Sequence, residues 1–373
     1  MAARGSNRIT SAQEEYLALL RSAIWGTEVV AVRSDIKAIL AIANMQKTRP
    51  LILLALQKAG CCTADKQTQA FIHKTAASHI NLNRTIARTV TALRDAGIDP
   101  VLLKGQGVAQ NYPDPMLREC GDIDLYVGKD NYAKACEVAK GLATESEAKD
   151  ATESSKHFHI WIYGLCLEIH RVSEVVPGKR QNEFYQQLSD RGLSKDLVPV
   201  VFDGVPVNTP ADSFNAFYIF HHAWHHFQAG GIGLRQVCDW MLFLHSRAGK
   251  LDTSVIESAL DNLHLRKPWQ VFASIAVDYL GLPATEMPFY NPDMKGISSK
   301  ALALILEEGN FGHFRKEVGK RPAGYVAGKA HSVKGYLTRT FKLCRIFPKE
   351  GLAHIPQFFY NGFKQVFVDI MHK

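Results

Sequence analysis

Long apolar runs are missing from this chain: the best, residues 51–56, falls far short of the roughly 18 to 20 residues that cross a bilayer, so no transmembrane span is expected. Cysteine is scarce and badly arranged for a framework. Seven cysteines, an odd number without any C-x-x-C, argue against a disulfide scaffold and fit free thiols in a reducing cytoplasm. Adjacent Cys61 and Cys62 have no nearby partners and read as loop residues. The basic start, MAARGSNR, runs into Ser11-Ala12-Gln13-Glu14 and not into an apolar stretch, so no secretory leader is expected. A cytoplasmic protein follows, with peripheral association at the inner membrane face as the variant that a basic chain allows. Acid is in deficit, 36 against 44 basic residues, which leaves a formal charge of +8 and a taste for anionic partners. Among 373 residues, 46% are hydrophobic and 21% charged, enough for a sizeable core in two or three domains.

What is present centres on residues 102–127, LLKGQGVAQNYPDPMLRECGDIDLYV. The period of two in a strand from Asp122 to Val127 puts Asp122, Asp124 and Tyr126 on one face and Ile123, Leu125 and Val127 on the other. Two same-face carboxylates repel unless a cation lies between them, and Mg²⁺ (or Mn²⁺) is the ion suited to carboxylate and phosphate oxygens. Residues 165–170, LCLEIH, alternate in the same way, with Cys166, Glu168 and His170 on the polar side. Residues 158–163 alternate too, and Gly164 predicts a tight hairpin. Pairing these strands antiparallel to the aspartate strand would bring Glu168 beside Asp122 and Asp124, the outline of a two-metal site. A solvated strand edge would also carry such acids. The run Val101 to Leu103 leads into Lys104-Gly105 and a helix expected near Gly107, a turn whose N–H groups and lysine suit phosphate.

At these residues the chain resembles the uncharacterised bacterial nucleotidyltransferases of the polymerase β-like superfamily. The resemblance is carried by Leu103-Lys104-Gly105, Tyr112-Pro113-Asp114, Arg118, Gly121-Asp122-Ile123-Asp124-Leu125 and the later L-E-I-H. It implies an α+β fold, a small mixed or antiparallel sheet flanked by N-terminal and C-terminal helical regions. It also implies Asp122, Asp124 and Glu168 as metal ligands. Lys104-Gly105 stand where better-studied members carry Gly-Ser, so no serine hydroxyl is available for phosphate. Members are often associated with surface-polysaccharide gene sets, which suggests a sugar or lipid-linked acceptor by association only.

Around this core the spacing predicts three parts: helices over 1–97, the sheet domain over 98–208 and a helical domain with a basic tail over 209–373. Ser11 with Glu14 reads as a capping box, and helices are expected over 34–46, 50–58, 68–96 and 131–142. Residues 145–156 hold no apolar period and read as a loop. Asp203-Gly204 marks a hairpin.

The helical C-terminal part holds His221, His222, His225 and His226, whose i,i+4 pairs could pack structurally, contact phosphate in a cleft or hold zinc. An H-E-x-x-H protease motif is absent. Arg235 and Asp239, also i,i+4, could tie one helical turn or line the cleft. Between His313 and Lys349 ten basic residues stand against Glu317 alone, and an aromatic stripe of Phe358, Phe359, Phe363 and Phe367 follows. The expected activity is transfer of a nucleoside monophosphate from NTP to an acceptor hydroxyl on a sugar, lipid-linked group, protein or small molecule. Asp122, Asp124 and Glu168 would be catalytic and bind metal, Lys104, Gly105 and Arg118 would bind nucleotide, and His221, His222, His225, Arg235 and Asp239 would line the cleft. The alternative is a non-catalytic nucleotide- or polyanion-binding adaptor using the basic C-terminal third. A shared cleft would bring at least one of the histidines and Arg235 within about 10 Å of Asp124.

Overall fold

The computed structural model describes residues 9–28, 31–61, 65–312 and 324–352. Arg315, Lys316, Lys320, Arg321 and the Phe358 to Phe367 stripe lie outside the described residues. The chain opens with four helices, α1 (Ser11–Trp25), α2 (Ile36–Gln46), α3 (Arg49–Lys58) and the 30-residue α4 (Lys66–Asp95). The first cap sits one residue earlier than expected: Thr10 and Gln13, not Ser11 and Glu14, exchange the capping-box hydrogen bonds.

The sheet section then runs β1 (Val101–Leu103), α5 (Gly105–Ala109), β2 (Asp122–Tyr126), α6 (Gly128–Leu142), α7 (Glu145–Lys149), β3 (Thr152–Glu153), β4 (His157–Ile162), β5 (Leu165–His170), α8 (Lys179–Gly192), β6 (Val198–Phe202) and β7 (Val205–Thr209). Residues 145–156, expected as loop, contain α7 and β3, the former held by a Thr144–Glu147 capping box. A helical section follows, α9 (Asp212–Ala229), α10 (Leu234–Ser246), α11 (Thr253–Asn262), α12 (Arg266–Ser274), α13 (Lys295–Glu308) and α14 (Tyr325–Cys344).

The fold is α+β, with one seven-stranded mixed sheet in the order β3-β4-β5-β2-β1-β7-β6. The expected antiparallel pairing of β5 with β2 is corrected: the two strands run parallel, with Asp122 opposite Cys166 and Asp124 opposite Glu168. The reason is the β4–β5 hairpin turning at Tyr163-Gly164, which lays its second strand, not its first, against β2.

One face of the sheet is apolar. Ile123, Leu125, Ile160, Leu167 and Ile169 pack against Leu82, Ile86 and Val90 of α4 and Ala135 and Ala139 of α6. The larger core lies on the other side, where α1 to α3 share one apolar cluster with α9 to α13. Polar ties cross that joint: Gln46, fully buried, accepts from the Leu234 N–H and donates to the Ile305 carbonyl, while Arg21 and Trp25 donate to the carbonyls of Tyr279 and Leu280. Gly233 is required at this joint because a Cβ there would stand 2.7 Å from the Gln46 carbonyl oxygen, a backbone atom unable to move aside. No helix among the described residues is long and apolar enough to cross a membrane.

Part of the basic tail is internal. Arg339 is buried and paired with Glu308 at 2.8 Å, and Lys342 pairs with Glu307 at 3.0 Å. The reading of the basic C-terminal third as a surface for anionic partners does not extend to Arg339, since a guanidinium buried between α13 and α14 holds helices together and is not offered to a partner.

Candidate functional site

The strand registers lay out the polar sheet face as rows. Trp161, Cys166 and Asp122 form one row, His159, Glu168 and Asp124 the next, and His157, His170 and Tyr126 the third. The period of two thus places both aspartates and Glu168 on one face, opposite the apolar cluster. This face forms one wall of a cavity of about 270 Å³ whose lining includes Asp122, Asp124, Glu168, Lys104, Arg118 and residues of α9 and α10.

Asp124 is the electrostatic centre. Its Oδ1 accepts from Lys104 Nζ at 3.1 Å and from His170 Nε2 at 3.0 Å. Burial alone would raise this carboxyl, but the Lys104 ammonium and the His170 hydrogen bond outweigh it and hold Asp124 far below the usual carboxylate range. Burial opposes charge on Lys104 and His170 too, yet the surrounding acids raise both. Asp122, exposed on the cavity side, is instead raised, first by the like charge of Asp124 and then by desolvation. His170 Nε2 also lies 3.2 Å from Glu168 Oε2.

Lys104 is held in an uncommon conformation, φ 49° and ψ −139°, in which a side chain crowds its own backbone. Gly105 follows at φ 44°, where glycine is favoured, and opens α5 directly, two residues before the expected start. With only five residues, α5 adds little dipole, so anion binding there would rest on Lys104 and the turn's N–H groups.

Arg118 does not stand free for phosphate as expected. Its Nε and Nη2 donate to the two carboxylate oxygens of Asp239 at 2.7 and 2.8 Å, a bidentate buried pair, and Tyr112 donates to the same carboxylate at 2.7 Å. Only Nη1, buried and without a hydrogen-bond partner, remains available. The expected Arg235–Asp239 tie is therefore corrected: Asp239 is taken by a residue 121 positions away, and Arg235 donates through Nη1 to the Glu119 carbonyl. His79, hydrogen-bonded to the Arg118 carbonyl and to Gln106, steadies this loop from α4.

The α9 histidines divide. His222, His225 and His226 line the cavity with Arg235, Asp239 and Gln236, facing the carboxylates. His221 does not. It packs among the rings of Tyr185 and Phe217 at 5.2 and 5.5 Å, a core role that the helical spacing could not separate from the cleft role. Burial pushes His221 and His226 down to about 4 and lowers His222 and His225 as well, so all four are neutral near pH 7. Two further residues were not anticipated. Lys156, just before β4, and Glu174, in the loop after β5, pair at 2.6 Å on the cavity wall, an approach of two non-strand residues that no local sequence pattern signals.

The family described as uncharacterised nucleotidyltransferase matches residues 33–281, which spans α2 through the end of α12 and includes every wall of this cavity except Phe311. The chain belongs to that family. Membership supports a nucleotidyltransferase-like function as the coarse functional assignment. A crystal structure of an antigenic nucleotidyltransferase-like protein from Paracoccidioides brasiliensis is similar at 14% identity and a TM-score of 0.29, covering 54% of this chain and 92% of that one. No curated protein matches the chain.

Proposed function

We propose that this nucleotidyltransferase family member carries a polymerase β-like site that transfers a nucleoside monophosphate from NTP to an acceptor hydroxyl. The observation that carries the reading is the convergence of Asp122, Asp124 and Glu168 on one sheet face beside the Lys104-Gly105 turn, within a cavity that also holds Arg118 and Arg235. The donor set fits a hard divalent ion. Asp122 and Asp124 repel each other strongly enough to raise Asp122, and a cation between carboxylate oxygens relieves that repulsion. Asp122, Asp124 and Glu168 would hold Mg²⁺ or Mn²⁺, which when bound supplies neutralisation of charge on the transferring phosphate.

The chain's own groups then have separable tasks. Lys104, the turn N–H of Gly105 and the unpaired Nη1 of Arg118 hold the triphosphate. The acceptor oxygen attacks the α-phosphorus. An O–P bond forms, the α–β anhydride bond breaks, and pyrophosphate leaves with the bonding electron pair. The acceptor proton passes to Glu168, which faces the cavity. The neutral histidines of α9 and the Arg235 end of α10 cover the face and limit water. The division into 1–97, 98–208 and 209–373 and a cytoplasmic setting belong to the same proposal.

Pyrophosphate release from each NTP with Mg²⁺, screened against pooled sugars, lipid-linked sugars, proteins and nucleic acids, tests the reading in wild type and Asp124→Ala. Equal NTP binding and turnover by both proteins overturns it. The adaptor alternative loses ground because Arg339 and Lys342, two of the cations it needs, are engaged by Glu308 and Glu307.

A further inference from the structure

Beside the aspartates, the same sheet face carries a second donor group of different chemistry. His157 and His170 are direct cross-strand neighbours on β4 and β5, and Glu168 precedes His170 by one pleat on the same face. One ligand atom from each of His157, Glu168 and His170 lies within 4.8 Å of the others. The pair distances are informative. Two atoms each about 2.1 Å from a tetrahedral ion stand about 3.4 Å apart. His170 Nε2 and His157 Nδ1 lie 3.2 and 3.7 Å from Glu168 Oε2, on either side of that value. The second distance is too long for a hydrogen bond, and His157 Nδ1 is buried with no hydrogen-bond partner, so its lone pair or proton is unmatched within the protein.

We propose that His157, Glu168 and His170 form a Zn²⁺ site, distinct from the oxygen-ligated position at Asp122 and Asp124 and sharing Glu168 with it. Two imidazoles and one carboxylate select an ion of borderline softness over Mg²⁺, which prefers oxygen and retains its water. Three protein ligands on a cavity wall leave a fourth position open, the arrangement of zinc centres that act on a bound water or hydroxyl. His170 Nε2 gives up to solvent the proton it now donates to Asp124, and Asp124 keeps Lys104 as its partner. The proposal rests on the geometry of this face and does not require nucleotidyl transfer.

Co²⁺ serves as the spectroscopic probe and Zn²⁺ as the competitor, titrated into metal-stripped full-length protein. The expected result is a Co²⁺ complex with intense visible bands of a four-coordinate site, displaced by Zn²⁺ and retained in excess Mg²⁺. His157→Ala is expected to weaken Co²⁺ binding by at least about tenfold, as loss of a direct ligand costs no less than loss of its supporting shell. His159→Ala, on the same strand and face but outside the ligand group, should leave it unchanged. His170→Ala should abolish binding; if that buried variant does not fold, His157→Ala carries the test. A weak octahedral spectrum that His157→Ala does not alter, or Co²⁺ that equimolar Mg²⁺ displaces, overturns the proposal. Mg²⁺-supported pyrophosphate release alongside such a spectrum would remove the zinc site and leave the transfer reading standing.

Discussion

Replacing Asp239 exposes the energetic weight of the Arg118 pair. In the wild type the guanidinium is only 4% exposed, and its charge is met by two short hydrogen bonds to Asp239, which also accepts from Tyr112. Burial works against that charge, and Asp239 outweighs it, raising Arg118 well above its ordinary value. Asp239→Leu leaves a buried cation with no counter-charge, a change that costs about 3 to 5 kcal/mol. Arg118→Met with Asp239→Leu removes both charges at once, and such replacements of buried pairs are close to neutral when the new side chains fill the space. The double-mutant cycle, read by urea unfolding, should therefore show a coupling energy of about 2 kcal/mol or more, with the double variant more stable than Asp239→Leu alone. The same double variant should lose NTP affinity, because Nη1 is then absent from the cavity. If Asp239→Leu costs less than about 1 kcal/mol, the pair is solvated in solution and the buried-charge argument fails.

Glu174 supplies a pH-dependent term. Burial would raise its carboxyl, but His225, neutral near pH 7 and charged only in the acid range, and the Lys156 ammonium outweigh it and bring it down to about 2, so its stabilisation is present above the ordinary value near 4.5 and is lost as pH falls toward 2. The loss amounts to about 3 kcal/mol, and Glu174→Gln should flatten the acid limb of a pH-resolved unfolding profile. Lys104→Met removes a cation proposed to contact the triphosphate and should reduce NTP affinity about ten- to a hundredfold by calorimetry, with the strained backbone at that position retained. Gly233→Ala forces a Cβ against the Gln46 backbone and should lower the unfolding midpoint by an amount corresponding to about 1 to 3 kcal/mol.

The carboxylates were legible because strand alternation is a local property: Asp122, Asp124 and Glu168 share a face by counting in twos, whatever the strand order. Strand direction was not legible in the same way. A hairpin offers either of its strands to a neighbour, and only the docking of β5, not β4, against β2 makes the pair parallel. His157 was missed for a related reason. The alternation counted from Phe158 began one residue late, and His157 acquires chemical meaning only from its cross-strand neighbour His170. Arg235 and Asp239 show the opposite error, in which a valid local spacing lost to a partner from a distant loop. A guanidinium with no other counter-charge gains more from a desolvated bidentate carboxylate than Arg235 would gain from an i,i+4 contact worth a few tenths of a kcal/mol.

These contrasts explain how the cavity is zoned. The acids come from the sheet, where β-pairing fixes Asp124 and Glu168 side by side and where Lys104 and His170 already balance part of the charge. The guanidiniums come from the loop before β2, which carries Arg118, and from α10, which carries Arg235, each tied by its own partner, Asp239 or the Glu119 carbonyl, so neither can swing to cancel the carboxylates. The third wall, α9, is polar yet uncharged. Desolvation holds His222, His225 and His226 neutral, so they present ring nitrogens without adding positive charge near Lys104 and Lys156. Had these imidazoles been protonated, the wall would have competed with a metal ion for the same carboxylates. Kept neutral, they leave charge balance to groups whose positions the fold fixes, and leave the sheet carboxylates to the proposed cation.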